Sequence, residues 1–201
     1  MHATDWDARY AERELLWSAA PNRFLVAEVE GLPPGRALDL ACGEGRNAIW
    51  LAERGWKVTA VDFSRVAVER ARRIAAERGV EVDFLQADLL AYEPAGRAFD
   101  LVAVFYLQLP APERAAVLAA AAAAVAPGGT LLVVGHDLLN LSEGYGGPRS
   151  PAVLFTPDDV VREAPGLAVV RAERVRRPVE LEDGTTVDAI DALVRLRRSA
   201  T

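Results

Sequence analysis

Apolar and polar positions alternate along this chain in blocks of two periods. Short apolar runs fit for buried strands are followed by longer stretches with helical spacing. Asn22 to Glu30 reads as a helix carrying Phe24, Leu25, Val26 and Val29, and a polar-aromatic helix is expected ahead of it over Asp5 to Trp17. Pro33-Pro34-Gly35 breaks the chain. Arg36 to Ala41 is a first buried strand, Arg46 to Arg54 a helix closed by Gly55, and Lys57 to Val61 a second strand with Asp62 at its end. Ser64 is the N-cap of a helix running to Arg78 and closed by Gly79. Val80 to Leu85 and Phe99 to Phe105 read as the third and fourth strands. The Ala-rich helix Pro112 to Val125 is ended by Pro127-Gly128-Gly129, before a fifth strand, Thr130 to Val134, that reaches Gly135-His136. A Gly/Pro-rich loop follows over Asn140 to Pro151; Thr156 and Pro157 then start another helix as N-cap and N1. Leu167 to Arg177 and Thr185 to Arg197 read as antiparallel edge strands joined near Glu182-Asp183-Gly184. Strands alternating with helices predict an α/β fold with a largely parallel sheet. No repeat or linker divides the chain, so residues 1–201 are expected to form a single domain, with 1–34 as a helical cap on an α/β core.

Composition narrows the setting. The formal net charge is −6, which disfavours nucleic acid or an anionic membrane as partner, since either calls for a basic face. A single cysteine, Cys42, allows no internal disulfide. The N-terminus shows no secretory pattern, and the longest nearly apolar stretch, Ala115 to Ala126, falls short of the ~20 residues of a membrane span. A cytoplasmic protein is expected. With two histidines and one cysteine, no metal-ligand spacing is present.

The sharpest chemical signal is Asp39-Leu40-Ala41-Cys42-Gly43-Glu44-Gly45, which follows a strand and opens a helix. Glycines at 43 and 45 permit a tight turn and close approach of a ligand to the backbone. Asp62, at the end of the next strand, suits a carboxylate that accepts bonds from two ribose hydroxyls. Gly43-Glu44-Gly45-Arg46-Asn47-Ala48 also fits the dinucleotide fingerprint, so a nicotinamide-dependent oxidoreductase is the rival reading. Against it, Asp39 and Glu44 crowd negative charge where a pyrophosphate would sit, whereas a sulfonium and an α-ammonium group tolerate that charge. Asp88, after a third strand, adds a carboxylate within reach of an adenine amino group. A plain tight turn with no ligand is the bland alternative, and a non-catalytic cofactor-binding module is a third.

With these residues the chain resembles the class I methyltransferases that use S-adenosylmethionine (SAM). Ala37 to Gly45 looks like the family's first motif, Val58 to Ser64 its second, Ala87-Asp88-Leu89 its third and Phe99 through Leu107 its fourth; Pro127-Gly128-Gly129 matches the turn before the fifth strand. The resemblance implies a Rossmann-like doubly wound sheet of seven strands, order 3-2-1-4-5-7-6, with strand 7 antiparallel. It implies that Gly43 and Gly45, with Asp39 in the same motif, serve the methionine portion of the cofactor. Asp62 would bind the ribose, Asp88 and Leu89 the adenine, Phe63 would flank that ring, and Phe105 would sit near the methionine end. The Trp6…Tyr10 opening is similar to small methyltransferases of the tellurite-resistance and thiopurine type, in which an N-terminal helix lids the cofactor.

Methyl transfer needs little machinery beyond positioning, so acceptor residues are harder to read. His136, ending the fifth strand in Gly135-His136-Asp137, is the candidate general base, with a structural histidine bonded to the next loop as the equal alternative. Tyr145 and Arg149 lie on a loop long enough to be a lid, and Trp6, Tyr10 and Tyr106 are further candidates to line an acceptor pocket. Cys42 reads as a buried filler, and Arg171, Arg174, Arg176 and Arg177 as a solvated sheet edge that discourages pairing. The expected acceptor is a small molecule; neither its identity nor the oligomeric state is written in these patterns.

Overall fold

The computed structural model describes residues 20–201. Seven strands form one sheet in the order β3-β2-β1-β4-β5-β7-β6. The strands are β1 (Arg36–Leu40), β2 (Lys57–Asp62), β3 (Asp83–Gln86), β4 (Phe99–Phe105), β5 (Val125–His136), β6 (Ala168–Glu180) and β7 (Thr186–Arg197). The first five are parallel, and β7 runs antiparallel between β5 and the edge strand β6. This is the expected topology. Helices α1 (Arg23–Val29), α2 (Arg46–Ala52), α3 (Arg65–Glu77), α4 (Ala111–Ala124), α5 (Asn140–Glu143) and α6 (Pro157–Glu163) fill the connections.

Because both faces of the central strands are covered, β1 and β4 are apolar almost throughout, as a doubly covered parallel sheet requires. One core layer joins Leu38, Val102, Val104, Leu118 and Val133 under α4; the other joins Ala37, Leu51, Val68, Leu101 and Leu132 under α2 and α3. The predicted caps form. Ser64 accepts from the Ala67 amide at 3.1 Å, and Thr156 with Asp159 makes a reciprocal capping box at the start of α6.

Two boundaries differ from the sequence reading. β3 begins at Asp83 rather than Val80, because the Val80 amide is committed to Ala75 O and that of Gly79 to Ala76 O, a closing turn with Gly79 at φ +67°. β5 begins at Val125 rather than Thr130: Pro127-Gly128-Gly129 is a bulge inside the strand, where Val125 already pairs with Phe99. A Cβ on Gly129 would stand 2.9 Å from two carbonyl oxygens, which is why glycine sits there.

The loop after β5 is a braced wall rather than a free lid. Buried Asn140, at the head of α5, accepts from the Ile190 amide at 2.7 Å and donates to Gly146 O at 2.9 Å. The Tyr145 amide donates to Asp188 O at 2.9 Å. The arginines of β6 lie on the solvated edge expected of them, yet three of them are also anchored. Arg176 is mostly exposed, but Arg171 pairs with Glu28 of α1, Arg174 Nε reaches buried Asp137 at 2.8 Å, and Arg177 Nε reaches buried Asp191 at 2.7 Å. An edge strand paired on one side only gains anchors to the core through these contacts.

Candidate functional site

The carboxyl ends of β1, β2, β4 and β5 open into a cavity of about 1220 Å³. It is where ligands of open α/β sheets sit. Its floor on one side is the turn after β1. Ala41, Gly43 and Gly45 all adopt positive φ, of 62°, 55° and 78°, so the chain reverses tightly before entering α2. At Gly45 a Cβ would come within 2.9 Å of the Phe84 ring, so this turn packs directly on the second core layer.

Asp62 ties the turn to β2. One carboxylate oxygen accepts from the Gly43 amide at 2.8 Å and the other from the Ser64 amide at 2.9 Å. A carboxylate has about four lone-pair sites, so these bonds leave it able to accept further donors. Asp39 lies beneath the turn, almost wholly buried, and neither of its oxygens has a hydrogen-bond partner. Burial, reinforced by the nearby charge of Asp62, pushes its carboxyl up to about 7, against the smaller opposing pulls of Arg46 and the Ala48 amide. Phe63, Asp88, Leu89 and Phe105 line the same cavity. The Asp88 carboxylate caps its own turn, accepting from the Leu90 amide at 3.0 Å. Cys42 is buried, and burial pushes its thiol well up, away from nucleophilic use. Asn47, at the start of α2, accepts from the Asn22 amide at 2.9 Å and so joins α1 to the site.

The other end of the cavity is a polar cluster around Asp191. Registry across the antiparallel pair sets His136 of β5 opposite Asp191 of β7. His136 Nδ1 stands 3.3 Å from Asp191 Oδ1, at ion-pair range but out of line for a good hydrogen bond. The other Asp191 oxygen accepts from Tyr106 Oη at 2.9 Å and from Arg177 Nε at 2.7 Å. Burial would raise the Asp191 carboxyl, but the His136 imidazole and the Arg177 guanidinium outweigh it and hold it below the usual range. Burial and then the Asp191 charge push the Tyr106 phenol up, which keeps it protonated as a donor. Tyr106 holds φ +54°, a conformation uncommon outside glycine, and its ring lies 4.9 Å from that of His136. Gly147 of the braced loop closes on the imidazole: a Cβ there would stand 3.0 Å from the ring.

His136, Tyr106 and Tyr145 therefore meet in one cavity with Gly43, Asp62, Phe63, Asp88, Leu89 and Phe105, while the expected cofactor residues Asp39 and Gly45 lie outside its lining, Asp39 in β1 and Gly45 packed on Phe84. Arg149 does not: it is exposed and outside the cavity lining, because the Asn140 and Tyr145 anchors hold the preceding segment and the chain turns outward after Pro148. Trp6 and Tyr10 lie outside the described residues. Sequence reasoning missed Asp191 and Arg177. A carboxylate inside the apolar run Ala189-Ile190-Asp191-Ala192-Leu193 was the available signal, since an ion so placed needs a buried partner.

Among the described residues no cluster of three or more His, Cys, Asp or Glu is arranged to hold a metal. No helix among them is long and apolar enough to cross a membrane.

Residues 37–129 match the family model described as a methyltransferase domain. The ubiquinone biosynthesis O-methyltransferase of Xanthomonas campestris pv. campestris (strain B100) is 34% identical over 175 residues, which are 86% of this chain and 63% of that protein. Its counterpart from Xylella fastidiosa (strain 9a5c) is 39% identical over 132 residues, 64% of this chain and 52% of that one. The chain thus spans between half and two thirds of the length of these curated relatives. The solved structure described as "Conversion of a Disulfide Bond into a Thioacetal Group during Echinomycin Biosynthesis" superimposes with a TM-score of 0.78 at 25% identity, over 99% of this chain and 93% of that one. TehB from Haemophilus influenzae shares the fold, with a TM-score of 0.75 at 16% identity over 96% of this chain and 66% of its own. The strand order, the glycine turn tied to Asp62 and the match of residues 37–129 to a methyltransferase domain are features this chain shares with the class I SAM-dependent methyltransferases.

Proposed function

We propose that the protein transfers the methyl group of SAM to a small-molecule acceptor held in the cavity between the glycine turn and Asp191. The observation that carries this reading is that one cavity joins two different chemistries: a turn with buried negative charge, and a His–Asp–Arg–Tyr cluster.

The residues at the first end fit SAM. Asp39 is a buried carboxylate without a hydrogen-bond partner, and an ammonium or sulfonium group would add positive charge to that of Arg46 near it. Asp62 would accept from the ribose hydroxyls while keeping its bonds to the turn. Phe63 would flank the adenine, Asp88 and the Leu89 backbone would hold its polar edge, and Gly43 and Phe105 would border the methionine portion, with Gly45 shaping the turn. The same charge counts against the nicotinamide rival, for a pyrophosphate at the turn would meet Asp62, with Asp39 beneath it and Glu44, itself paired with Arg70 at 3.0 Å, beside it. A purely cofactor-binding module has no use for the second cluster.

The cofactor supplies an activated methyl group for in-line displacement. The protein contributes positioning and, at the other end, a base. With Nδ1 turned to Asp191, His136 takes the tautomer protonated there, and Nε2 is left to accept the proton of the acceptor. Tyr106 and Tyr145 would line the acceptor. A small molecule rather than nucleic acid or a membrane as partner, and a cytoplasmic setting, are supported by the net charge of −6 and the single buried cysteine.

The test is calorimetric titration with S-adenosylhomocysteine, beside an Asp62→Ala variant. Saturable binding, weakened at least roughly 10–100-fold in the variant by the loss of charge-assisted hydrogen bonds, is expected. Binding of NADH with no response to S-adenosylhomocysteine would overturn the reading.

A further inference from the structure

We propose that the acceptor is an acidic O–H or S–H compound, a phenol, enol or thiol, that reacts as its anion beside Arg177, and that Asp191 is the positioning residue for both His136 and Arg177. This rests on the methyltransferase reading above.

The argument is one of charge and geometry. Among the described residues, the charged and titratable groups facing His136 are few. Asp191 approaches from β7, Arg177 from β6, and the Tyr106 phenol from the end of β4. Asp137, the next residue on the chain, is engaged by Arg174. Asp137 with Arg174, and Asp191 with Arg177, each sum to zero. With a neutral imidazole the described residues at this end of the cavity sum to zero charge. Once His136 takes a proton it carries one positive charge, which an anionic acceptor balances and a cationic one does not.

Arg177 is the only arginine of β6 that lines the cavity. Its Nε is the nitrogen spent on Asp191, and a guanidinium carries five N–H donors in a fixed fork. The fork is therefore aimed by a buried carboxylate while its rim borders the cavity. Asp191 is fully buried and already engaged by Tyr106, Arg177 and His136, so it offers no face to an incoming ammonium. An amine acceptor would arrive protonated and leave as a methylated cation beside Arg177, with repulsion at both stages. A phenol or thiol would lose charge in the reaction instead.

The step balances. The acceptor's O–H or S–H proton passes to His136 Nε2. The freed lone pair on oxygen or sulfur forms the new bond to the methyl carbon as the carbon–sulfonium bond breaks, and that bond's electron pair stays on the sulfonium sulfur. The product is the neutral ether or thioether with S-adenosylhomocysteine, and His136 returns its proton to solvent.

Three para-nitro aromatic probes of similar size test this: 4-nitrophenol, 4-nitrothiophenol and 4-nitrobenzylamine. Each is titrated into protein saturated with S-adenosylhomocysteine, and each is assayed for methyl uptake from SAM. Calorimetry with S-adenosylhomocysteine comes first, so that failure of the methyltransferase reading shows as no cofactor binding. The expected result is binding of the phenol or the thiol, with the coloured anion persisting to lower pH on the protein than in free solution. Arg177→Gln should weaken that binding roughly 10–100-fold and abolish the anion shift, while Arg177→Lys should restore part of it. Asp191→Asn should lower turnover and displace the pH profile while cofactor affinity stays at the wild-type value, a split that a merely structural role would not give. Methylation of the amine at equal or better kcat/KM, or cofactor-loaded protein that binds neither the phenol nor the thiol, would overturn the proposal.

Discussion

Asp39 should make the stability of the ligand-free protein depend on pH in a direction opposite to the usual carboxylate. Its folded carboxyl is raised from 3.8 to about 7 by burial and by Asp62. The unfolded chain therefore ionises first. Below about pH 4 both states hold the proton and Asp39 costs nothing extra; as pH rises through 7 the folded state must bury a charge or keep a proton that the unfolded state has released. Three units at ~1.36 kcal/mol each amount to about 4 kcal/mol of stability lost between pH 4 and 8. That is a large share of the ~5–15 kcal/mol of a typical domain. Asp39→Asn removes the titration while keeping the shape of the protonated acid. Its buried amide lacks partners, which costs about 1–3 kcal/mol at every pH. Urea unfolding of both proteins from pH 4.5 to 8.5 should therefore give a difference that moves in favour of the variant as pH rises and levels off above about 7.5. Groups remote from Asp39 titrate equally in both proteins and cancel. A difference that stays flat across this range would refute the argument, because it would mean that Asp39 ionises normally in the fold.

Three further outcomes follow from the packing and the site. Gly45→Ala places a side chain at φ +78° and within 2.9 Å of the Phe84 ring; backbone strain and overpacking together should cost about 2–5 kcal/mol in urea unfolding, and a change below ~0.5 kcal/mol would contradict the geometry. Arg114 is buried and grips both oxygens of Glu163 at 2.8 and 2.7 Å, joining α4 to α6, so Arg114→Ala should destabilise by about 3–5 kcal/mol through the carboxylate it strands; an Arg114→Ala/Glu163→Gln double variant should recover part of that loss. His136→Ala should lower turnover roughly 10²–10⁴-fold and flatten the pH profile with cofactor affinity retained, and unchanged turnover would remove His136 from the chemistry.

The residues proposed for the cofactor were legible because they are local or nearly so. Asp39 lies in β1, Gly43 and Gly45 in the turn that follows it, and Asp62 ends the adjacent strand, so short-range pattern and the rule for strand ends point to them together. The strand order followed from the resemblance and from the alternation of elements. The acceptor half was legible only in His136, Tyr106 and Tyr145. Asp191 and Arg177 are brought together by the register of β7 against both β5 and β6, and a one-residue slip in that register would turn each side chain to the opposite face. Such register is a property of long-range pairing, invisible in a local window. Arg177 looked like one of four arginines on an exposed edge, and only its partner distinguishes it. Arg149 failed for the converse reason: its loop is glycine-rich and adjacent to the site, but Asn140 directs it away.

The arrangement of β6 and β7 separates two kinds of heritable change. The residues proposed for the cofactor lie between Asp39 and Phe105, whereas the terminal hairpin adds Arg177 and Asp191 to the cluster proposed for the acceptor and braces the loop that carries Tyr145. Drift in the hairpin can thus retune which molecule is modified without disturbing the donor pocket, and exchange of that hairpin between relatives becomes a direct route to transplanting selectivity.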